Sequence, residues 1–471
     1  MTNNRSHRLL HETVISNGFC VGCGACSVPE KSPFKMVMDA YGQYQSYLGE
    51  SRVLDKTEVN YEKLCPFGDG SPNEDEISKH YFSENCEYNT RVGYYNSVFS
   101  GHVSEGSFRR NGSSGGMGSW ILNELLSKGF VDYVVHVKSE TADHDINNIP
   151  FKYEVSSSLG EIQKGAKSRY FPIELSDVLK TVRKQPGRYA VVGLPCFIKS
   201  IRLLQAQDPV LADRIKYCIG LVCGHLKSRH YAESLAWQMG IAPTDLQSID
   251  FRVKDPSQPA NRYSTYAKGE SCEKVVPIKQ LFGADWGAGA FKYKACDFCD
   301  DVFAETADVV VGDAWLPEYV QDSYGTNVVV SRDNEIKNIL IDAWSENRLE
   351  LDELSIDKAA QSQDAGLRHR KDSIAYRLHC EQTDNSWVPK KRTPPVKNLS
   401  PRYEMKRQRL RSKMRAMSHD LFLDAKAAGN ISLYIDGISP VYYRYTVQGR
   451  SVVRRIFSFI KKNLKRLIGV S

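Results

Sequence analysis

At 471 residues the chain is too long for one compact core, and two or three structural units are expected. Its 41% hydrophobic and 25% charged residues match a folded, water-soluble protein and exclude a disordered chain, and no apolar run is long enough to span a bilayer. The net charge of +7 hides a split: Lys390–Ser471 carries 20 Lys and Arg against 4 Asp and Glu, while residues 1–389 carry 43 against 52, so the basicity belongs to the tail.

The N-terminus, "MTNNRSHRLLHETVISNG", lacks the apolar centre of a secretory signal, and a cytoplasmic location is expected. There the twelve cysteines would stay reduced, which favours metal binding or redox chemistry over disulfides. The first set is "NGFCVGCGACSVPEKSPF", with Cys20, Cys23 and Cys26 each two residues apart and Glu30 where a fourth cysteine would continue the run. Thiolates this close, separated by small residues, can wrap one 4Fe-4S cubane. The fourth ligand must come from elsewhere. Cys65 precedes Pro66, as the closing cysteine of a bacterial ferredoxin run does, and "FKMVMDAYGQYQSYL" reads as a small β excursion that returns the chain to it. Cys86 is the rival. A structural zinc site is the alternative chemistry, although zinc usually pairs two C-x-x-C units. Residues 1–90 are therefore read as a ferredoxin-like region.

From about residue 91 to 380 strands and helices alternate. "YYNSVFSGHVS", "FVDYVVHVKS", "RYAVVGL", "IKYCIGLV" and "ADVVVG" read as strands; "SWILNELLSKG", "FIKSIRLLQ" and "RHYAESLAWQMG" read as helices. This grammar predicts a mainly parallel α/β sheet. Ligands bind at the carboxyl ends of such strands. Cys196, Cys223 and Asp313 each follow a strand, so they share one sheet edge. With Cys296 and Cys299 of "KYKACDFCDDVF", four thiolates from three loops make a second 4Fe-4S site. A zinc ribbon or a redox dithiol is the alternative. Cys218 sits inside a strand and reads as core; Cys86, Cys272 and Cys380 are given no role.

"RRNGSSGGMGSW" leads into a helix whose free amides favour phosphate, and "AKSRYFP" offers Lys167 and Arg169 to a pyrophosphate. A plain helix cap explains the glycine loop equally well. Residues 381–471 begin with a Pro-rich basic linker, "DNSWVPKKRTPPVKNLSPRYE", and end in "VVRRIFSFIKKNLKRLIGVS", where apolar residues recur at helical spacing among Lys and Arg. Residues 452–471 fit an amphipathic helix on an anionic membrane surface, or one docked on the acidic body. No motif for nucleic acid accompanies the charge.

"CVGCGAC", "NGSSGGMG", "KSRYFP", "GLPCFI", "GLVCGH", "CDFCDD" and "ADVVVGDAW" occur in one order. In that order they resemble the coenzyme F420 hydrogenase/dehydrogenase beta-subunit family, to which 7-hydroxymethyl chlorophyll a reductase is related. The resemblance covers residues from about 17 to 345. It implies an iron–sulfur flavoprotein oxidoreductase with two 4Fe-4S clusters and FAD. By this resemblance Ser113, Ser114, Gly115 and Gly116 help hold FAD, as do Ser168, Arg169 and Tyr170, with Arg169 replacing the family's Lys. The core-cluster ligands map to Cys196, Cys223, Cys296 and Cys299. The N-terminal ligands remain Cys20, Cys23, Cys26 and Cys65, in a part that varies among members. FAD would exchange hydride with reduced coenzyme F420 or a similar donor or small organic substrate, and clusters would carry single electrons. Some members occur beside polysaccharide-synthesis genes. The alternatives are an electron-transfer subunit serving a redox partner protein, or a zinc-stapled membrane-surface scaffold. Asp313 and His225 are acid–base candidates by position only, and the catalytic residues stay unassigned.

Overall fold

A computed structural model describes residues 5–49, 59–139, 151–383 and 386–449. The basic stretch 452–471 lies outside the described residues. Among those described, no helix is long and apolar enough to cross a membrane.

Eight strands form the large sheet: β1 Ser97–Val103, β2 Tyr133–Ser139, β3 Phe151–Ser156, β4 Tyr189–Gly193, β5 Ile215–Leu221, β6 Val309–Asp313, β7 Asn327–Ser331 and β8 Leu349–Glu353. Their spatial order is β8-β1-β7-β6-β5-β4-β2-β3. The expected parallel sheet is its centre, where β6, β5, β4 and β2 run parallel. The other four pairings, β8/β1, β1/β7, β7/β6 and β2/β3, are antiparallel. The central strands are runs of Val and Ile because both faces are covered. Side chains alternate between two cores: Val191, Cys218, Val310 and Val330 face one, and Ala190, Ile219, Val309 and Val329 face the other. Cys218 is thus a core residue, as its place in the strand predicts.

Register aligns the strand ends. Val192 lies opposite Ile219 in β5, and Val309 opposite the same Ile219. The turns after β4, β5 and β6 therefore open at one edge. After β4 the chain passes directly into the helix Pro195–Gln205, which begins on Pro195, a residue suited to the first helical position. Cys196 is the next residue.

The N-terminal region is not a separate core. Leu10, Val14, Phe19, Phe34, Tyr61 and Leu64 join the cluster of Val191 and Ile198. The expected β excursion is the hairpin Phe34–Met38/Tyr44–Leu48. Gly24 has φ of +83°, and a Cβ there would collide with Glu174 and with the backbone at Ser176, so only glycine lets the cysteine loop lie this close.

A smaller sheet, Ser248–Val253, Ser264–Lys268 and Glu273–Pro277, packs with the helices Tyr403–Ala428 and Ser432–Thr446 in a third cluster. The stretch read as a linker is bound to the body. Trp387 donates from Nε1 to Asp69 at 2.9 Å. Arg392 meets Asp300 at 3.0 Å, Glu305 at 2.6 Å and Asp75 at 2.8 Å. Its positive charges neutralise acids buried beneath it, which composition alone does not reveal.

Candidate functional site

The two expected cysteine sets each gather in space. Cys20, Cys23, Cys26 and Cys65 act electrostatically on one another. Cys196, Cys223, Cys296 and Cys299 do likewise. Cys86 does not join the first set: its Sγ donates to the Arg332 carbonyl at 3.3 Å. Cys272 is exposed. Among the described residues no three His, Cys, Asp or Glu side chains converge tightly enough for a single metal ion, whereas a cubane spreads its thiolates around a larger body.

The donor chemistry fits a buried metal–sulfur group. Burial drives the thiols of Cys20, Cys65, Cys196 and Cys223 up, and those of Cys23 and Cys296 up to about 12. Left alone they stay protonated, and a bound cation is what would ionise them. Amides already aim at the sulfurs. Gly22 N and Ser46 N donate to Cys20 Sγ, each at 3.4 Å, and Leu226 N donates to Cys296 Sγ at 3.3 Å. Such N–H···S contacts are typical of iron–sulfur sites.

The sets are neighbours. Cys196 lies within electrostatic range of Cys23. Ser200, one turn along the helix from Cys196, hydrogen-bonds Cys23.

Beside the core set lies a cavity of about 1350 Å³, above the roughly 300–1,000 Å³ usual for one small ligand. Ser113, Ser114, Gly116, Ser168, Arg169, Tyr170 and Cys223 all line it. The two expected flavin elements are joined: Ser168 N donates to Ser113 Oγ at 2.9 Å. The helix Met117–Ser127 starts here, with Gly118 and Ser119 at the wall. Gly115 differs from expectation. It does not line the cavity; a Cβ there would meet Gly101 O and Asn327 Oδ1 at 2.8 Å, so it presses the loop onto β1 and β7. Arg169 donates to Ser139 Oγ at 3.0 Å and lies over the Phe151 ring at 4.8 Å. Lys167 pairs with Asp250 at 3.2 Å.

Sequence reasoning missed several residues. Trp286 stands between the two chemistries, 4.7 Å from the Tyr170 ring and 4.5 Å from the His225 ring. Arg252 grips both oxygens of Asp313, at 2.7 and 3.0 Å, so Asp313 is a charge partner rather than a free base. Arg252, Trp286, His225 and Asp313 line the cavity. His225 Nε2 has no hydrogen-bond partner among the described residues. Burial, with Lys227 and Lys292 nearby, holds it well below the usual histidine range. Arg370, buried against the core thiols, gave no local signal at all.

Two family models, for the N-terminal and C-terminal regions of the coenzyme F420 hydrogenase/dehydrogenase beta subunit, match residues 98–180 and 187–357. The chain belongs to this family. It is 27% identical over 243 residues to the coenzyme F420-dependent sulfite reductase of Methanocaldococcus jannaschii, over 48% of this chain and 34% of that protein. The chain thus matches about a third of that reductase. It is 22% identical over 317 residues to a subunit of the F(420)H(2) dehydrogenase of Methanosarcina mazei, over 65% of this chain and 78% of that one. A chain of the F420-reducing NiFe hydrogenase complex from Methanosarcina barkeri aligns with TM-score 0.48 and 15% identity, over 64% of this chain and 98% of that chain.

Proposed function

We propose that the chain is an iron–sulfur flavoprotein oxidoreductase that couples hydride exchange in the cavity to single-electron exchange at two cysteine sets. The observation that carries this reading is Cys223, which belongs to the core set and also lines the cavity. A redox group held there would touch whatever the cavity holds.

Ser113, Ser114, Gly116, Ser168, Arg169 and Tyr170 would hold FAD, and the two thiol sets would each hold a 4Fe-4S cluster. Bound FAD supplies two-electron hydride chemistry toward reduced coenzyme F420 or a similar donor, and clusters supply one-electron chemistry. The rest falls to this chain's residues. Ser113 Oγ fixes the Ser168 amide and so the spacing of the two loops. Arg252 neutralises Asp313 at the cavity wall. Tyr170 and Trp286 line the wall with rings packed edge to face. Membership of a family named for coenzyme F420 supports the donor class, and the resemblance to a dehydrogenase subunit supports a protein redox partner.

The test is anaerobic purification followed by iron, acid-labile sulfide and flavin analysis. About eight irons, about eight sulfides and about one FAD per chain are expected. Zinc without sulfide or flavin overturns the proposal. Turnover of a hydride donor by the isolated chain then separates an enzyme from an electron-carrying subunit.

A further inference from the structure

Arg370 lies beyond the matched family regions, in the helical stretch Arg368–Asp372. Its side chain is buried, 2% exposed. Nε donates to Cys299 O at 3.0 Å, Nη1 to Cys223 O at 3.0 Å and Gly224 O at 2.8 Å, and Nη2 to Asp301 O at 2.9 Å. The last bond runs from Nη2 to Cys299 Sγ at 2.5 Å. These partners are carbonyl oxygens and one sulfur. Carbonyls satisfy the donors but do not neutralise the charge, so a full positive charge is fixed against the core thiols.

Arg370 is the leading charged side chain acting on Cys223 and Cys296, set against the Asp301 carboxylate on Cys223. Lys227 and Lys292 are also buried there, but Lys292 is paired with the buried Asp297 and Lys227 donates to the Ala290 carbonyl at 2.6 Å, so Arg370 is the cation that touches a core sulfur. The charged side chains acting on the N-terminal thiols are carboxylates, Asp39 on Cys20 and Glu174 on Cys23. Yet Cys196 and Cys23 are close enough to interact. Two sets of one chemistry therefore stand side by side, one with a buried guanidinium against its sulfur and the other with carboxylates as its charged neighbours.

Reduction adds one negative charge to an iron–sulfur group. A fixed cation and an N–H···S donor in a low-dielectric interior stabilise the reduced state, and carboxylates destabilise it. We propose that Arg370 sets the reduction potential of the core iron–sulfur group above that of the N-terminal one, so that an electron shared between them resides on the cavity side. This rests on the two-cluster reading above and adds the order of the two potentials.

The experiment is an EPR-monitored redox titration of the full chain, purified anaerobically. The signals are assigned with Cys65→Ser and Cys296→Ser proteins. The wild-type core signal is expected at the higher potential. Arg370→Gln keeps an amide donor but removes the charge. It should lower the equilibrium constant for core reduction at least tenfold, about 59 mV for a one-electron couple, and leave the N-terminal signal in place. Arg370→Lys should restore most of the shift. Glu174→Gln gives an independent reading from the other set: the N-terminal potential should rise and the gap should narrow, even if Arg370→Gln does not fold. Equal or reversed wild-type potentials overturn the proposal, as does an Arg370→Gln shift shared equally by both signals. Wild-type protein without iron and sulfide fails at the metal analysis, before any titration, and overturns the two-cluster reading instead.

Discussion

The N-terminal set draws three of its four thiols from one short loop, Cys20 to Cys26, whereas the core set collects its thiols from the ends of two strands and a distant C-x-x-C turn, Cys196 to Cys299. In the first, the loop's own glycines and a hairpin amide shape the pocket. In the second, the register of β4 and β5 brings Cys196 and Cys223 to one edge, and the Leu226 amide meets Cys296 there. Closing long loops costs entropy that local contacts cannot return. A site assembled that way depends on the whole sheet, while the local loop depends mainly on its immediate packing.

The largest expected effect breaks the two sets apart. Cys296→Ser should lose about half the iron while the N-terminal absorption survives, and Cys65→Ser should do the converse. Cys86→Ser should leave iron unchanged, because Cys86 faces Arg332 rather than the first set. If Cys65→Ser keeps all its iron, Cys65 is not the fourth ligand. Iron analysis with visible spectroscopy on each variant decides the matter.

The same contrast explains what was legible beforehand. "CVGCGAC" and the Val-rich strands announce themselves because their signals are local, and their alternation with helices implied that Cys196 and Cys223 share an edge. The antiparallel flanks were not legible. "NVVVS" of β7 reads as a strand as readily as the parallel ones do, and nothing local states its direction. Arg370 and Trp286 were invisible because their meaning lies in what they touch. The basic stretch at Lys391 and Arg392 looked like a linker because its acidic partners, Asp300 and Glu305, are remote in sequence.

A smaller effect tests the cavity against the clusters. Ser113→Ala removes the acceptor of the Ser168 amide and leaves both thiol sets untouched. One such hydrogen bond is worth about 1 kcal/mol, so flavin should bind roughly fivefold more weakly at unchanged iron content. Equilibrium dialysis of flavin against deflavinated protein measures it. Loss of iron together with flavin would mean that the loop supports the core set as well.

The smallest effect probes the N-terminal set alone. Ser46 lies on the returning hairpin strand, with its backbone N–H aimed at Cys20 Sγ and its hydroxyl 3.1 Å from Cys26 Sγ. Ser46→Ala deletes the hydroxyl and keeps the amide. A hydrogen bond to sulfur favours the reduced state, so its loss should lower the N-terminal potential. Removing a contact worth about 0.5 kcal/mol corresponds to a shift on the order of 20 mV for one electron. The core signal should not move, because its sulfurs take their donors from Leu226 and Arg370 instead. A core shift of the same size would mean that the hydroxyl acts through the Cys23–Cys196 contact, and that the two sets are less separate than their charged neighbours suggest.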